Sequence, residues 1–173
     1  MNTLQYAVYK GTGGKFGAIQ FNFQPPHYYR EKQKDFTGVN ALDENGRIKE
    51  GWKTRDGCVF MEITSTKEAN VYDWENKVTI ALSVNDLGKI LLGLRTGEDV
   101  KLMHDPGAKS ESAGAVRKHL NISSPKGTTA GCLVSVSMIA GEQEKKHMVP
   151  LTGDELLCLA TLIQAAIPRA LGW

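Results

Sequence analysis

The chain has 173 residues and a mass of 19.0 kDa, a size typical of one domain. Its 21 Lys and Arg residues against 19 Asp and Glu residues leave a net charge of +2, which excludes a polybasic protein that binds by bulk charge alone. A hydrophobic content of 41% with 23% charged residues excludes wholesale disorder and a bundle of membrane helices. Any binding of nucleic acid must therefore depend on local surfaces.

The first part of the chain predicts two β-hairpins that are separated by a long loop. Alternating apolar and polar residues predict one strand pair around a glycine-rich turn at 11–14 and a second pair around a turn that ends at 72–74. The predicted strands are 5–10, 17–24, 58–66 and 77–83. Between the hairpins, the segment 25–57 contains two consecutive prolines and many charged residues. It predicts a long surface loop, a kind of segment that is often functional.

A capping box at Ser83 and Asp86 predicts the start of a first helix. The serine hydroxyl can accept a hydrogen bond from the backbone N–H three residues on, while the acid lies at the positive end of the helix. We expect this helix to end at Gly93, because glycine readily adopts the left-handed cap conformation. Four more strands are predicted after it, at 99–104, 115–124, 131–139 and 145–151.

A second capping box, Thr152 with Glu155, predicts a C-terminal helix over 156–167. Its apolar residues have the spacing of one buried helical face, and we expect Pro168 to break or kink the helix. The order of elements over the single domain 1–173 is thus four strands, a helix, four strands and a helix. This order predicts an α+β fold in which two four-stranded antiparallel sheets pack with helices.

The residue patterns point to no catalytic, cofactor or metal site. Three scattered cysteines without a CxxC spacing predict neither a disulfide framework nor a zinc site, and the histidines are equally dispersed. The segment 11–16 resembles a phosphate-binding P-loop, but Tyr9 stands where that loop needs a glycine and Phe16 where it needs Ser or Thr. We expect no enzyme activity, no cofactor, no metal, no small-molecule substrate and no membrane partner.

Charge is distributed unevenly along the chain despite the near-neutral total. The segment 1–30 contains no acidic residue and holds more than half of the aromatic residues. A second acid-free segment, 112–141, carries Arg117, Lys118 and His119. Both segments predict strands, and the outward faces of the predicted strands could form a basic sheet with scattered aromatic residues.

Short motifs follow one another in a fixed order along the whole chain. They are Tyr72-Asp73-Trp74, Ala81-Leu82-Ser83-Val84, His104-Asp105-Pro106, Ala115-Val116-Arg117-Lys118-His119-Leu120, Val149-Pro150-Leu151-Thr152 and Leu171-Gly172-Trp173. In this order they resemble the Whirly family of single-stranded DNA-binding proteins. Val8-Tyr9-Lys10-Gly11 also resembles the start of that family's Lys-Gly-Lys-Ala-Ala-Leu motif. The segment 12–14 interrupts the motif here, so that Lys15 would take the place of the second lysine.

The resemblance implies a homotetramer of two-sheet subunits that binds single-stranded DNA along the sheets between neighbours, with little sequence preference. The family's plant members act in organelles, on DNA repair, genome maintenance and transcription. The loop 26–56 looks longer than its counterpart in the family. We expect a cytoplasmic protein of a bacterial or phage-infected cell, or an organellar one if the sequence is a mature form without its transit peptide.

Candidate nucleic-acid contacts combine rings for base stacking with cations for phosphates. Strand alternation buries Val59, Met61 and Ile63 and leaves Phe60 outward. The full set is Tyr9, Lys10, Lys15, Phe16, Trp52, Lys53, Phe60, Lys77, Arg117 and Lys118. Trp52 could equally serve loop packing, and Lys118 lies on the apolar side of its strand, where a lysine can snorkel.

Two other functions remain open from the residues alone. An RNA-binding, RNA-annealing or transcription-regulating protein would use the same surface, because stacking and phosphate contacts discriminate poorly against RNA. A β-sandwich that binds other proteins, with no nucleic-acid partner, is the alternative of a different class. We favour a single-stranded DNA-binding protein that protects or presents DNA in replication, recombination or repair.

Overall fold

The computed structural model describes residues 4–11, 16–30, 41–108, 111, 113–123 and 131–172. Within these residues the chain forms strands, two α-helices and a 3-10 turn at Trp74–Asn76. In chain order they are β1 (Gln5–Tyr9), β2 (Gly17–Gln24), β3 (His27–Tyr29), β4 (Lys53–Arg55), β5 (Cys58–Glu68), β6 (Val71–Tyr72), β7 (Val78–Leu82), α1 (Val84–Thr96), β8 (Val100–His104), β9 (Val116–Ser123), β10 (Gly131–Ala140), β11 (Gln143–Thr152) and α2 (Gly153–Ala170).

Two antiparallel sheets form the body of the fold. In sheet 1, β1, β2 and β5 lie side by side, and β6 and β7 both pair with β5, along different parts of its length. In sheet 2 the order is β11-β10-β9-β8. Together with the two helices, this arrangement confirms the predicted α+β fold of two antiparallel sheets, although sheet 1 has five strands where we predicted four.

A separate two-stranded hairpin of β3 and β4 lies within the segment that we predicted to be a loop. Its strands pair His27 with Arg55 and Tyr29 with Lys53, and an isolated bridge joins Leu42 to Ile48 further along. The segment 25–57 is therefore not a loop throughout, since our prediction of a long surface loop missed β3 and β4. Each of these strands has only three residues and no alternation of apolar residues. The hydrophobic periodicity of the sequence therefore could not indicate the hairpin.

The inward faces of the two sheets share one core with the helices. Val59, Met61 and Ile63 are completely buried, as alternation predicted, and Phe21 and Phe23 are buried with them. Leu87 of α1 and Ile163 of α2 close the same cluster. Complete burial of side chains of this size contributes about 1.5–3 kcal/mol each.

Helix α1 begins at the predicted capping box but does not end where we expected. Asp86 N donates to Ser83 Oγ at 3.3 Å, and Ser83 N donates to Asp86 Oδ2 at 3.0 Å. The helix continues through Gly93 and ends at Gly97, which has φ 75°. The predicted end at Gly93 was wrong because that glycine serves packing: a Cβ there would lie 2.2 Å from Val100 Cγ2.

Helix α2 also begins at its predicted capping box, where Thr152 N donates to Glu155 Oε2 at 2.8 Å. It continues past Pro168 to Ala170, so Pro168 does not break the helix, which was one of the two predicted effects. The proline lies in the last turn, where its missing N–H removes only one helical hydrogen bond. The turn still closes, since Leu171 N donates to Ile167 O at 3.2 Å.

A buried histidine joins the two sheets. His147 of β11 places Nε2 3.2 Å from the carbonyl oxygen of Asn76 and Nδ1 2.8 Å from Ser65 Oγ of β5. Because a carbonyl can only accept, Nε2 carries the proton and Nδ1 accepts from the serine hydroxyl. Burial lowers the pKa of His147, against a smaller raising effect of the bond to Asn76.

Candidate nucleic-acid interface

Phe60 lies on the outward face of sheet 1, in the middle of the sheet. The cross-strand register places Asn22, Phe60 and Ala81 side by side. The Phe60 ring is 37% exposed, while its neighbours along the strand, Val59 and Met61, are buried. The structure therefore places an aromatic ring on a polar face, as the alternation predicted.

A cleft of about 360 Å³ opens beside Phe60 and joins the two sheets. Phe60 and residues 79–81 line it from sheet 1, Lys118 and residues 104–106 line it from the side of sheet 2, and Arg55 of the hairpin completes it. The cleft thus brings together two predicted contacts, Phe60 and Lys118. It also adds Arg55, a cation that lies in the segment predicted to be a loop.

Lys118 lies on the inner side of β9, as the sequence indicated, and reaches the end of the core. Its Nζ donates to the carbonyl oxygen of Thr79 at 2.6 Å. Burial lowers the pKa of Lys118, because the charged form loses solvation. An anion that enters the cleft would stabilise that charged form.

Lys77 is paired with an acid on the outward face of sheet 1. Its Nζ lies 2.7 Å from Glu62 Oε1, and Gln20 and Thr79 also donate to the Glu62 carboxylate. Burial alone would raise the pKa of Glu62, but the bonds from Lys77, Gln20 and Thr79 lower it. Lys77 therefore neutralises a carboxylate of this face, and its contact with nucleic acid stays a prediction.

The other predicted contacts near the N-terminus lie at the far end of sheet 1. Tyr9 is 56% exposed and its ring centroid lies 5.3 Å from that of Tyr72. Lys10 Nζ forms an ion pair with Glu155 Oε1 at 2.8 Å, which ties the end of β1 to the start of α2. Phe16 is partly exposed, and Lys15 lies outside the described residues.

Lys53 is the first residue of β4 in the β3–β4 hairpin, and Trp52 directly precedes it. The Arg30 guanidinium lies 5.6 Å from the Trp52 ring centroid, within the range of a cation–π interaction. This contact supports loop packing for Trp52, one of the alternatives that the sequence left open. Lys53 is exposed and pairs with Tyr29 across the hairpin.

The outward face of sheet 2 mixes cations with exposed apolar side chains. Arg117 and His119 point outward, as predicted, and Lys101 and Lys146 share their face by strand register. Three apolar side chains, Met103, Ile139 and Met148, are exposed among them. These apolar residues and the two lysines were not among the contacts predicted from the sequence. The alternation of Val100 and Leu102 with Lys101 and Met103 was the signal that could have identified Lys101 and Met103.

Within the described part of the chain, no group of three or more His, Cys, Asp or Glu side chains could hold a metal ion. The three cysteines are not bonded to one another. Neither helix in the described residues has the length and apolar character that a membrane span requires.

Residues 41–162 match the family model described as the Whirly transcription factor. The chain belongs to the Whirly family. The mitochondrial single-stranded DNA-binding protein WHY2 of Arabidopsis thaliana is 31% identical over 121 residues, which cover 69% of this chain and 50% of that protein. The chloroplastic single-stranded DNA-binding protein WHY1 of Zea mays is 27% identical over 169 residues, covering 97% and 56%. The chain spans about half the length of these curated relatives.

Solved structures of plant proteins share the fold of this chain. The crystal structure of WHY1 from Arabidopsis thaliana superposes with a TM-score of 0.79 at 22% identity, covering 100% of this chain and 88% of that one. The plant transcriptional regulator PBF-2 has a TM-score of 0.76 at 24% identity, covering 100% and 85%. These findings confirm the family that the motifs indicated. The two curated relatives are organellar plant proteins, which gives no support to a bacterial or phage origin.

Proposed function

We propose that this Whirly chain binds single-stranded DNA with little sequence preference, along the outward faces of its two sheets. The observation that carries the proposal is the position of Phe60. Its exposed ring lies in a cleft with two cations, Arg55 and Lys118. A ring offers stacking to any base, worth about 1–3 kcal/mol per base, and the cations can meet the adjoining phosphates. The names of the curated relatives support this partner.

The outward face of sheet 2 supplies the second part of the proposed path. Lys101, Arg117 and Lys146 offer charge to phosphates, and the exposed Met103 offers apolar contact to bases. Glu62 lies beside Thr79 on the outward face of sheet 1. Its ion pair with Lys77 reduces the repulsion between the Glu62 carboxylate and phosphate. Because a nearly neutral subunit with few such cations would neutralise few phosphates, we expect the affinity to depend only modestly on salt concentration.

A homotetramer is the assembly that we propose for this chain. Helices α1 and α2 pack together, and each presents a leucine to solvent: Leu92 is 59% exposed and Leu157 is 70% exposed. The homotetramer that the family resemblance implies would cover these two leucines. Burial of these helical faces would leave the outward faces of the sheets available to DNA.

The proposed role is one of binding rather than catalysis, in protecting or presenting single-stranded DNA during replication, recombination or repair. The organellar names of the curated relatives favour a mitochondrial or plastid location over a bacterial cytoplasm. Regulation of transcription would use the same surface, and the description of the matching family supports it as a second role.

Competition binding tests the proposed partner. A labelled oligo-dT bound to the purified protein is displaced with unlabelled single-stranded DNA, duplex DNA or RNA of equal length. We expect single-stranded DNA to displace the label at the lowest concentration. Stronger displacement by RNA would show that RNA is the preferred ligand of this surface. An absence of oligo-dT binding at low salt would contradict the proposal and favour the alternative of a β-sandwich that binds other proteins.

A further inference from the structure

The β3–β4 hairpin carries rings and cations on one and the same face. Residues directly opposite one another in an antiparallel pair share a face, and the register sets His27 opposite Arg55 and Tyr29 opposite Lys53. The His27 and Tyr29 rings lie with their centroids 6.2 Å apart. We refer to His27, Tyr29, Lys53 and Arg55 as the ring–cation face.

The strands of this hairpin contain no acidic residue. Segments 27–30 and 52–55 carry Arg30, Lys53 and Arg55 without a carboxylate among them. Arg30 Nη2 donates to the carbonyl oxygen of Glu50 at 3.1 Å, and its guanidinium lies against the Trp52 ring. The two strands are therefore positively charged on a chain whose total charge is only +2, with the acids Glu50 and Asp56 just outside β4.

The base of the hairpin is fixed to the body of the protein. Gly57 N donates to the carbonyl oxygen of Ala170 at 2.9 Å. A Cβ at Gly57 would lie 2.6 Å from Gln24 O and 2.8 Å from Ala170 Cα, so the chain passes here in close contact with both β2 and the end of α2. The ring–cation face, two residues away at Arg55, therefore has a defined position on the protein.

Arg55 connects the ring–cation face to the cleft that contains Phe60. It lines that cleft and also lines a neighbouring one of about 570 Å³, whose walls include Ser83 and Leu171. The two clefts share Ala81 as well. A single strand that stacks on Phe60 would thus meet Arg55 next and then the rest of the hairpin face.

We propose that the ring–cation face is a second binding segment for single-stranded nucleic acid, continuous with the cleft at Phe60. His27 and Tyr29 stack on bases, and Lys53 and Arg55 neutralise phosphates, which is the combination that single strands require. This inference rests on the proposed function and extends its site. It assigns a binding role to a segment that the rest of the fold does not need for its core.

The test compares two double variants that lose the same charge. Lys53→Gln with Arg55→Gln removes both cations of the ring–cation face, whereas Arg47→Gln with Lys49→Gln removes two from the segment between β3 and β4. Affinity for a long oligo-dT is measured at several salt concentrations. We expect the first variant to bind more weakly and to lower the slope of log affinity against log salt by about 1.4, or about 0.7 for each lost phosphate contact. The control variant keeps the wild-type slope.

The ring is tested separately at Tyr29. Replacement by Ala should weaken binding about fivefold or more, which corresponds to one lost base stack, while Tyr29→Phe should bind as the wild type does. Thermal unfolding of each variant shows whether the fold is retained. If Tyr29→Ala lowers Tm, the exposed pair Lys53 and Arg55 still tests the inference.

The outcomes separate this inference from the proposed function. Wild-type binding to oligo-dT, together with an unchanged affinity and salt slope in Lys53→Gln with Arg55→Gln, would overturn the hairpin's role and remove Arg55 from the proposed site, while Phe60→Ala still tests the proposed function by itself. A slope lowered by only about 0.7 would correspond to the loss of Arg55 from the cleft alone and would overturn the hairpin's role too. An equal loss in the control variant would overturn it as well, since bulk charge would then explain both. A wild-type protein that does not bind oligo-dT would overturn the proposed function itself.

Discussion

The ammonium group of Lys118 on β9 donates to the carbonyl oxygen of Thr79 on β7, at 2.6 Å. This hydrogen bond runs from one sheet to the other and holds a cation in the wall of the cleft beside Phe60. The strand alternation that buries Leu120 also directs Lys118 inward. The position of this cation is therefore set by the packing of the sheets, and it is available to a ligand only through the cleft.

The ion pair between Glu62 and Lys77 should affect how tightly sheet 1 binds DNA. Lys77→Met should weaken oligo-dT binding, because it leaves the Glu62 carboxylate to repel phosphate. Adding Glu62→Gln in the same chain should restore affinity. A double-mutant cycle over the wild type, the two single variants and the double variant measures this, with an expected coupling of roughly 0.5–1 kcal/mol for a partly exposed pair. Equal affinity of Lys77→Met and the wild type would exclude this role of the pair.

The long strands could be predicted from the sequence because each alternates over five or more residues. Alternate residues are buried over 59–63 and over 78–82. The same alternation predicted that Phe60 and Arg117 point outward. The short strands β3 and β4 lacked such a pattern. The end of α1 depends on the contact between Gly93 and Val100, which propensity does not encode.

The candidate site could be predicted only in part. Alternation identifies which side chains leave the core, but ion pairs between distant residues, such as Lys10 with Glu155, have no local signal. The same holds for the cleft, which Arg55, Phe60 and Lys118 reach from three different elements. Which of the predicted contacts touch DNA stays a prediction.

The buried His147 predicts that stability decreases in mild acid. Since burial lowers its pKa, the unfolded chain binds more protons than the folded one as the pH falls below the ordinary histidine pKa of about 6.5. The free energy of unfolding should therefore fall between about pH 7.5 and about pH 5.5. His147→Gln should show a smaller fall, measured by urea unfolding at both pH values. An equal fall in both proteins would show that other groups cause it.

Replacement of glycine by alanine should have opposite effects on stability at two positions of α1. Gly93→Ala should destabilise the protein by about 1–3 kcal/mol, because its Cβ would overlap Val100. Gly88→Ala should stabilise it by roughly 0.5–1 kcal/mol, since a Cβ there meets nothing within 4 Å and alanine favours a helix. Chemical unfolding of both variants checks the pair. Stabilisation by Gly93→Ala would contradict the close contact with β8.

A charge introduced at Leu157 should disrupt the proposed interface between the helices of neighbouring subunits. Leu157→Lys should dissociate the homotetramer into smaller species, because the lysine would have to lose its hydration in the interface. Gln143→Lys adds the same charge at the exposed start of β11 and should leave the assembly intact. Light scattering measures the mass against that of the 19.0 kDa chain, with circular dichroism as the check on folding. A wild-type protein that is monomeric at micromolar concentration would contradict the tetramer.

The most direct test of the proposed function is the affinity of Phe60→Ala for oligo-dT beside that of the wild type. The wild type should bind oligo-dT more tightly than duplex DNA. Phe60→Ala should bind oligo-dT about fivefold to 100-fold more weakly, as expected for the loss of one stacked base, with an unchanged unfolding transition. Phe60→Tyr keeps the ring and should retain most of the affinity. Equal binding of oligo-dT by Phe60→Ala and the wild type would contradict the account.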